Sequence, residues 1–142
     1  MKYFLAKTDP DTFSIDDFNK EKDKITTWDG VHNFQAINVM KTWLPGDFVL
    51  IYHSMGEASI RGLAVVLTNP IKNENDPRPS VISDLKLLKI YPKDGAINLK
   101  QIKATGLFSD FSICRQSRLS TLECTDEFIS WLLMQDSEYF LV

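Results

Sequence analysis

Cysteine is scarce in this chain, with two residues in 142, Cys114 and Cys124. Two cysteines make no disulfide framework and no metal-ligand spacing, which points to a reduced, cytoplasmic protein. Histidine is equally sparse: His32 and His53 have no paired ligand spacing, so a zinc site is not expected. Long apolar runs are missing as well. The longest, such as Phe48–Tyr52, are far too short to span a bilayer, and the opening "MKYFLAKTDPD" has too small an apolar stretch for a signal peptide. Nucleotide and protease signatures are absent too, since there is no GxGxxG, no P-loop and no HExxH. No linker, repeat or low-complexity run divides the chain, and residues 1–142 are read as one domain without a cofactor.

What is present is the composition of a globular protein, 44% hydrophobic and 25% charged. The net charge of −3 argues against a nonspecific nucleic-acid coat, but its distribution is uneven. Between Gly56 and Arg118, ten Lys and Arg stand against six Asp and Glu, a local positive surface in an otherwise acidic chain.

Hydrophobic spacing predicts the elements. Tyr3–Ala6 reads as a buried strand. In "FSIDDF", Ser14 and Asp17 form a capping box and Phe13 with Phe18 a hydrophobic staple, so a short helix follows. "WDGV" is a turn, and Phe34, Ile37, Met40 and Leu44 continue at helical spacing until Pro45-Gly46. "DFVLIYHS" and "SIRGLAVVLT" form a β-hairpin, and Val81–Tyr91 is a third long strand. Asn69–Ser80 between them is the most loop-like segment. Asn98 and Gln101 cap another helix, Phe111–Cys114 and Leu119–Leu122 are short strand candidates, and Thr125 starts the last helix. Strands joined by hairpins outnumber helices, which predicts an α+β domain: an antiparallel, barrel-like sheet decorated by short helices.

The chemistry on offer suits recognition. Trp28, Phe34, Trp43 and Tyr52 bring flat faces; Thr8, Asn33, Gln35, Asn38 and Ser54 bring donors and acceptors; Arg61, Arg115 and Arg118 can hold phosphate. Base recognition needs this mixture, because aromatic walls bind the π-face while amides and hydroxyls read the edge. Each residue also has an ordinary structural role open to it as cap, core or buried pair.

Four ordered motifs carry a resemblance. "KTDPDTFSIDDF", "WDGVHNFQAINVM", "GDFVLIYHS" and "RQSRLS" resemble, in order and approximate spacing, the motifs of the EVE domain family of the PUA-like superfamily. The likeness runs from Met1 to about Leu133 and implies a PUA-like pseudo-barrel with a central cleft, related to the YTH readers of methylated adenine. It further implies a non-enzymatic reader that takes a single modified base, modified cytosine above all, from nucleic acid, with DNA favoured over RNA and no membrane. By matching position, the implied base pocket comprises Thr8, Trp28, Val31, Asn33, Tyr52, His53, Ser54 and Ser120, and the implied phosphate contacts are Lys7, Arg115 and Arg118.

This chain departs from the pattern where His32 and Ile37 replace two arginines, and where Ser80 falls near an expected tryptophan in a shortened segment. "SEYFLV" extends past the usual end of the family's domain and offers apolar residues to the barrel or to a partner. Two other readings remain open. Amidohydrolases of the ASCH type, in the same superfamily, use Thr, Lys and Glu on acylated cytidine, which here would call on Thr8, Lys7 and either Asp9 or Glu57. The other is a small-molecule or protein-interaction module.

Overall fold

A computed structural model describes residues 1–142. Strand β1 (Tyr3–Thr8) is followed by helix α1 (Ile15–Lys20), strand β2 (Ile25–Trp28) and helix α2 (Phe34–Met40). The middle of the chain is β3 (Phe48–His53), β4 (Ser59–Val66), the two-residue β5 (Ile71–Lys72) and β6 (Val81–Ile90). Helices α3 (Leu99–Ala104) and α4 (Ser112–Arg115), strand β7 (Thr121–Glu123) and helix α5 (Asp126–Gln135) complete it.

One sheet contains the order β2-β6-β4-β3-β1-β7, with β5 attached to β6. All pairs are antiparallel except β1 with β3, which run parallel from Tyr3 opposite Phe48 to Thr8 opposite His53. A parallel pair needs a crossover, and here the crossover holds α1, β2 and α2. It carries β2 to the far edge of the sheet from β1, and β2 has no ladder with β7 at the opposite edge. The buried apolar side chains form one continuous cluster spanning the sheet, α1, α2 and α5.

Local chemistry starts the helices where capping residues predict. Ser14 Oγ accepts from the Asp17 amide at 3.1 Å while Asp17 Oδ2 accepts from the Ser14 amide at 2.9 Å. Asn98 and Gln101 repeat the box, and Thr125 Oγ1 caps α5 through the Phe128 amide. Phe13 and Phe18 lie 5.9 Å apart, as the staple requires.

Three elements differ from expectation. Ser112–Arg115 is a helical turn rather than the strand expected at Phe111–Cys114, because four residues with two apolar positions cannot distinguish period 2 from period 3.6. Instead Phe111 turns into a ring cluster with Phe108 and Phe128. Strand β7 is Thr121–Glu123, later than the expected Leu119–Leu122, because its register is set by pairing with Phe4–Ala6. Strand β2 was not expected, although the β-branched run Ile25-Thr26-Thr27 is its signal.

The tail after α5 packs on the sheet. Tyr139 stacks on Tyr91 with centroids 4.3 Å apart, Phe140 sits 4.9 Å from Tyr3, and Lys89 Nζ donates to the Glu138 carbonyl at 2.8 Å.

Gly62 makes room for Ile15 of α1 against the sheet. A Cβ there would clash with Ile15 Cδ1 and stand 3.3 Å from Leu87 Cδ1, with Ile15 itself fully buried. Gly62→Ala is therefore expected to cost about 1–3 kcal/mol through overpacking. A urea titration checks it, and an unchanged midpoint would show that Ile15 can swing aside freely.

Candidate nucleic-acid interface

The sheet curls so that its two edges face one cleft. Lys7 and Thr8 at the end of β1, Ser120 just before β7, and Thr26, Thr27 and Trp28 of β2 all line a cavity of about 530 Å³. Phe13 and the turn Asp29–Val31 complete its wall. Gly30 occupies φ +75°, a left-handed conformation that glycine adopts without a Cβ penalty, so the chain reverses directly after Trp28. Trp28 is flanked by Phe13 at 6.3 Å, edge-on, and packs on Phe18 at 6.5 Å, leaving 6% of it exposed. Val31 is similarly buried.

Thr8 joins two segments at this rim. Its hydroxyl donates to the Phe13 carbonyl at 2.8 Å, while its own carbonyl accepts from the Ser54 amide at 2.9 Å and the Ser54 hydroxyl at 3.2 Å. Ser54 thus holds the cleft's edge from outside the lining. Lys7 donates from its backbone to Ser120 O and from Nζ to Ser117 O at 3.1 Å, and its ammonium lies 5.7 Å from the Tyr52 ring centroid. Burial lowers the Lys7 pKa. Tyr52 is buried beneath Lys7 rather than lining the cleft; burial, then the charge of Cys114, pushes its phenol up to about 12.

His53 lies deeper still, with 2% exposed. Its Nε2 accepts from the Ile15 amide at 3.0 Å, so the proton is on Nδ1, which donates to Glu57 Oε2 at 2.7 Å. Glu57 Oε1 accepts from Arg61 Nη1 at 2.5 Å and from Ser59 Oγ at 3.0 Å, and Arg61 Nε donates to the Tyr91 carbonyl. A bulge makes this possible: Ile51 faces Gly62 but Tyr52 faces Ile60, so Arg61 has no partner on β3. Burial raises the Glu57 pKa, but the hydrogen bonds from His53, Arg61 and Ser59 outweigh it and hold the carboxyl at about 2. Arg61 is therefore committed to the interior, away from any phosphate.

A second depression of about 270 Å³ adjoins the cleft, lined by Asn33, Gln35, Arg115, Gln116, Ser117 and Arg118. Ser117 belongs to this groove and also accepts from Lys7, so the two hollows share one wall. Arg115 and Arg118 are exposed and neither forms an ion pair. Gln35 and Gln116 exchange amide hydrogen bonds at 3.1 and 3.3 Å across the floor. Asn33 is here rather than in the cleft, with its Oδ1 accepting from the Ala36 amide at 3.0 Å as the cap of α2. Its NH₂ remains available.

Two positions where this chain departs from the family pattern are joined to each other. His32 Nε2 lies 2.5 Å from Asp76 Oδ2, which also accepts from Ser80 Oγ at 2.9 Å. One carboxylate thus joins the two positions where an arginine and a tryptophan were expected. The Arg78 amide first, then His32 and Ser80, hold Asp76 at about 2. Ile37 is buried in the core.

Sequence reasoning missed Thr12, Glu21, Thr26 and Thr27 as cleft residues, while Phe13 was read only as a staple and Asp29 only as a turn former. The β-branched run before Trp28 was the available signal. The ASCH-type arrangement finds Thr8's proton directed at Phe13 O and Glu57 enclosed by His53, Arg61 and Ser59, while Asp9 lines the cleft.

Comparison with known proteins gives a consistent set. The model of the EVE domain family matches residues 2–135. Thymocyte nuclear protein 1 of Rattus norvegicus is 25% identical over 165 residues, covering 92% of this chain and 72% of the relative. A solved protein of Leishmania major superposes with a TM-score of 0.83 at 30% identity, over 97% of this chain and 96% of that one. The crystal structure of human thymocyte nuclear protein 1 in complex with 5-methylcytosine-containing DNA shares the fold, with a TM-score of 0.83 at 21% identity over 95% and 97% of the chains.

The His53 network yields a stability prediction. Glu57 sits near 2 in the folded chain and about 4.3 when unfolded, so its contribution is present above the unfolded value and lost as pH falls toward 2. Glu57→Ala leaves the buried Arg61 without its counter-charge and is expected to cost about 3–5 kcal/mol at neutral pH. Urea midpoints measured down through that window should drop more steeply in the wild type than in the variant; parallel curves would contradict it.

Proposed function

The chain belongs to the EVE domain family, and from that premise we propose that it is a non-enzymatic reader of nucleic acid carrying a modified base, with modified cytosine in DNA as the favoured target. One observation carries the reading: an aromatic-backed polar cleft shares its Lys7–Ser117 wall with a groove holding two unpaired arginines. The division suits an extruded nucleotide. Its flat base enters the cleft between Trp28, Val31 and Thr8, and the flanking phosphates lie over Arg115 and Arg118, with Lys7 between them. The cleft volume falls within the roughly 300–1,000 Å³ usual for small-ligand sites. The DNA held by the human relative is the kind of ligand this arrangement suits.

Charge inside the cleft narrows the base. Asp9, Glu21 and Asp29 line it against the single cation Lys7. Carboxylates accept from exocyclic amines such as cytosine N4 and repel the carbonyl that thymine or uracil presents there. Extrusion costs a few kcal/mol in a duplex and aromatic stacking returns about 1–3 kcal/mol per base, so the phosphate contacts set whether binding is measurable.

Fluorescence anisotropy against DNA and RNA oligonucleotides that differ only in one base modification is the direct check. The modified-cytosine DNA should bind tightest, and equal affinity across the panel would defeat the reading. The Arg115→Ala/Arg118→Ala double variant should weaken binding to every sequence alike and flatten the slope of log K against log salt by about 2. The modified-to-unmodified ratio should survive that change, because the arginines touch the backbone rather than the base.

A further inference from the structure

One exposed aromatic ring lines a cationic hollow, and its two chain neighbours line the basic groove. Phe34, the first residue of α2, is 71% exposed and makes no aromatic contact, unlike the other rings around the cleft. Its neighbours Asn33 and Gln35 line the groove of Arg115 and Arg118. Phe34 itself lines a separate hollow of about 250 Å³ that includes Lys41, Lys72 and Ser80. Lys41 forms no ion pair, and Lys72 has only a solvent-exposed contact of 4.0 Å with Glu74, which neutralises little. The ring is therefore a wall of one cationic hollow and stands at the chain position that adjoins the other. It stands three residues after Val31, whose side chain walls the base cleft.

A lone exposed phenylalanine is ordinary on a protein surface and implies no function. This one differs by its surroundings. Its flanks would attract a polyanion, while the ring itself has nothing to offer a phosphate and a full face to offer a base. The helix start that carries it is also held: Asn33 caps α2 through Ala36, and His32 just before it is tied to Asp76. An exposed ring on a fixed helix start, beside two phosphate-attracting hollows, is the geometry of a side chain that enters a base stack.

We propose that Phe34 is a wedge that fills the gap left in a DNA duplex when the modified base moves into the cleft. The inference rests on the reader function above and adds a duplex-specific element to it. Arg115 and Arg118 hold the backbone on one side of the gap, and Lys41 and Lys72 hold it on the other. The wedge replaces the stacking that the extruded base gives up, so it favours the open duplex over the closed one.

The test compares wild type, Phe34→Ala and Phe34→Trp on one modified-cytosine sequence, as a duplex and as a single strand. Phe34 is exposed, so both variants should match the wild type in circular dichroism and urea midpoint. Phe34→Ala should lose roughly tenfold in duplex affinity, keep its single-strand affinity, and be rescued by Phe34→Trp. A 2-aminopurine next to the modified base should stay quenched with wild type and brighten with Phe34→Ala. Undiminished duplex binding by Phe34→Ala overturns the wedge and leaves the reader standing. Equal loss on duplex and single strand also overturns it, making Phe34 a general contact. Failure of the wild type to prefer any modified oligonucleotide defeats both readings together.

Discussion

The imidazole of His53 has one nitrogen for each of two segments, and the cleft depends on both. Nε2 takes the Ile15 amide and so fixes the start of α1, while Nδ1–H takes Glu57, which in turn holds Arg61 and the end of β6 through Tyr91. The tautomer is forced, since an imidazole that accepts at one nitrogen must carry its proton on the other. Fixing α1 also fixes Phe13, which closes onto Thr8 and supports Trp28. Buried groups of this kind leave little freedom, because any unmatched donor or carboxylate in the interior is costly. A residue outside the cleft thereby sets the position of two of its walls.

The cleft itself is a consequence of topology. The crossover between β1 and β3 sends β2 to the far edge, and the curled sheet brings that edge back toward β1 and β7 without a ladder between them. Backbone groups that would have been consumed in closing a barrel are left at an opening. Acidic side chains sit inside that opening and arginines beside it, so the two signs of charge are separated across the surface. That separation is how a chain with a net charge of −3 can present a surface suited to a polyanion.

Where this chain departs from the family pattern, the replaced positions bond to one another. His32 and Ser80 stand where larger residues were expected, and Asp76 joins them in one hydrogen-bonded unit. The removed positive charge is not restored at that point; cations are found instead in the two hollows beside Phe34. The tail beyond α5 packs against Tyr91, Tyr3 and Phe48 through its aromatic residues, covering part of the sheet.

Local chemistry was legible in the sequence. Capping pairs at Ser14–Asp17 and Asn98–Gln101, the Phe13–Phe18 staple and the long strands β3, β4 and β6 follow from contacts between residues close in the chain. The four motifs also indicated which residues gather near a cleft. What they could not divide was that set. Trp28, Val31, Thr8, Lys7 and Ser120 share the cleft, Asn33 joins the arginines, Ser54 braces from outside, and Tyr52 and His53 are sealed behind. The short segment at Ser112–Arg115 and the register of β7 were equally beyond sequence reasoning. The reason is physical. Capping and periodicity are fixed within a few residues, so sequence alone determined them. Which of two adjacent side chains opens to solvent and which is buried depends on a parallel pairing, a bulge at Arg61 and an unclosed seam, and these join residues far apart in the chain. Only the tertiary structure could decide that.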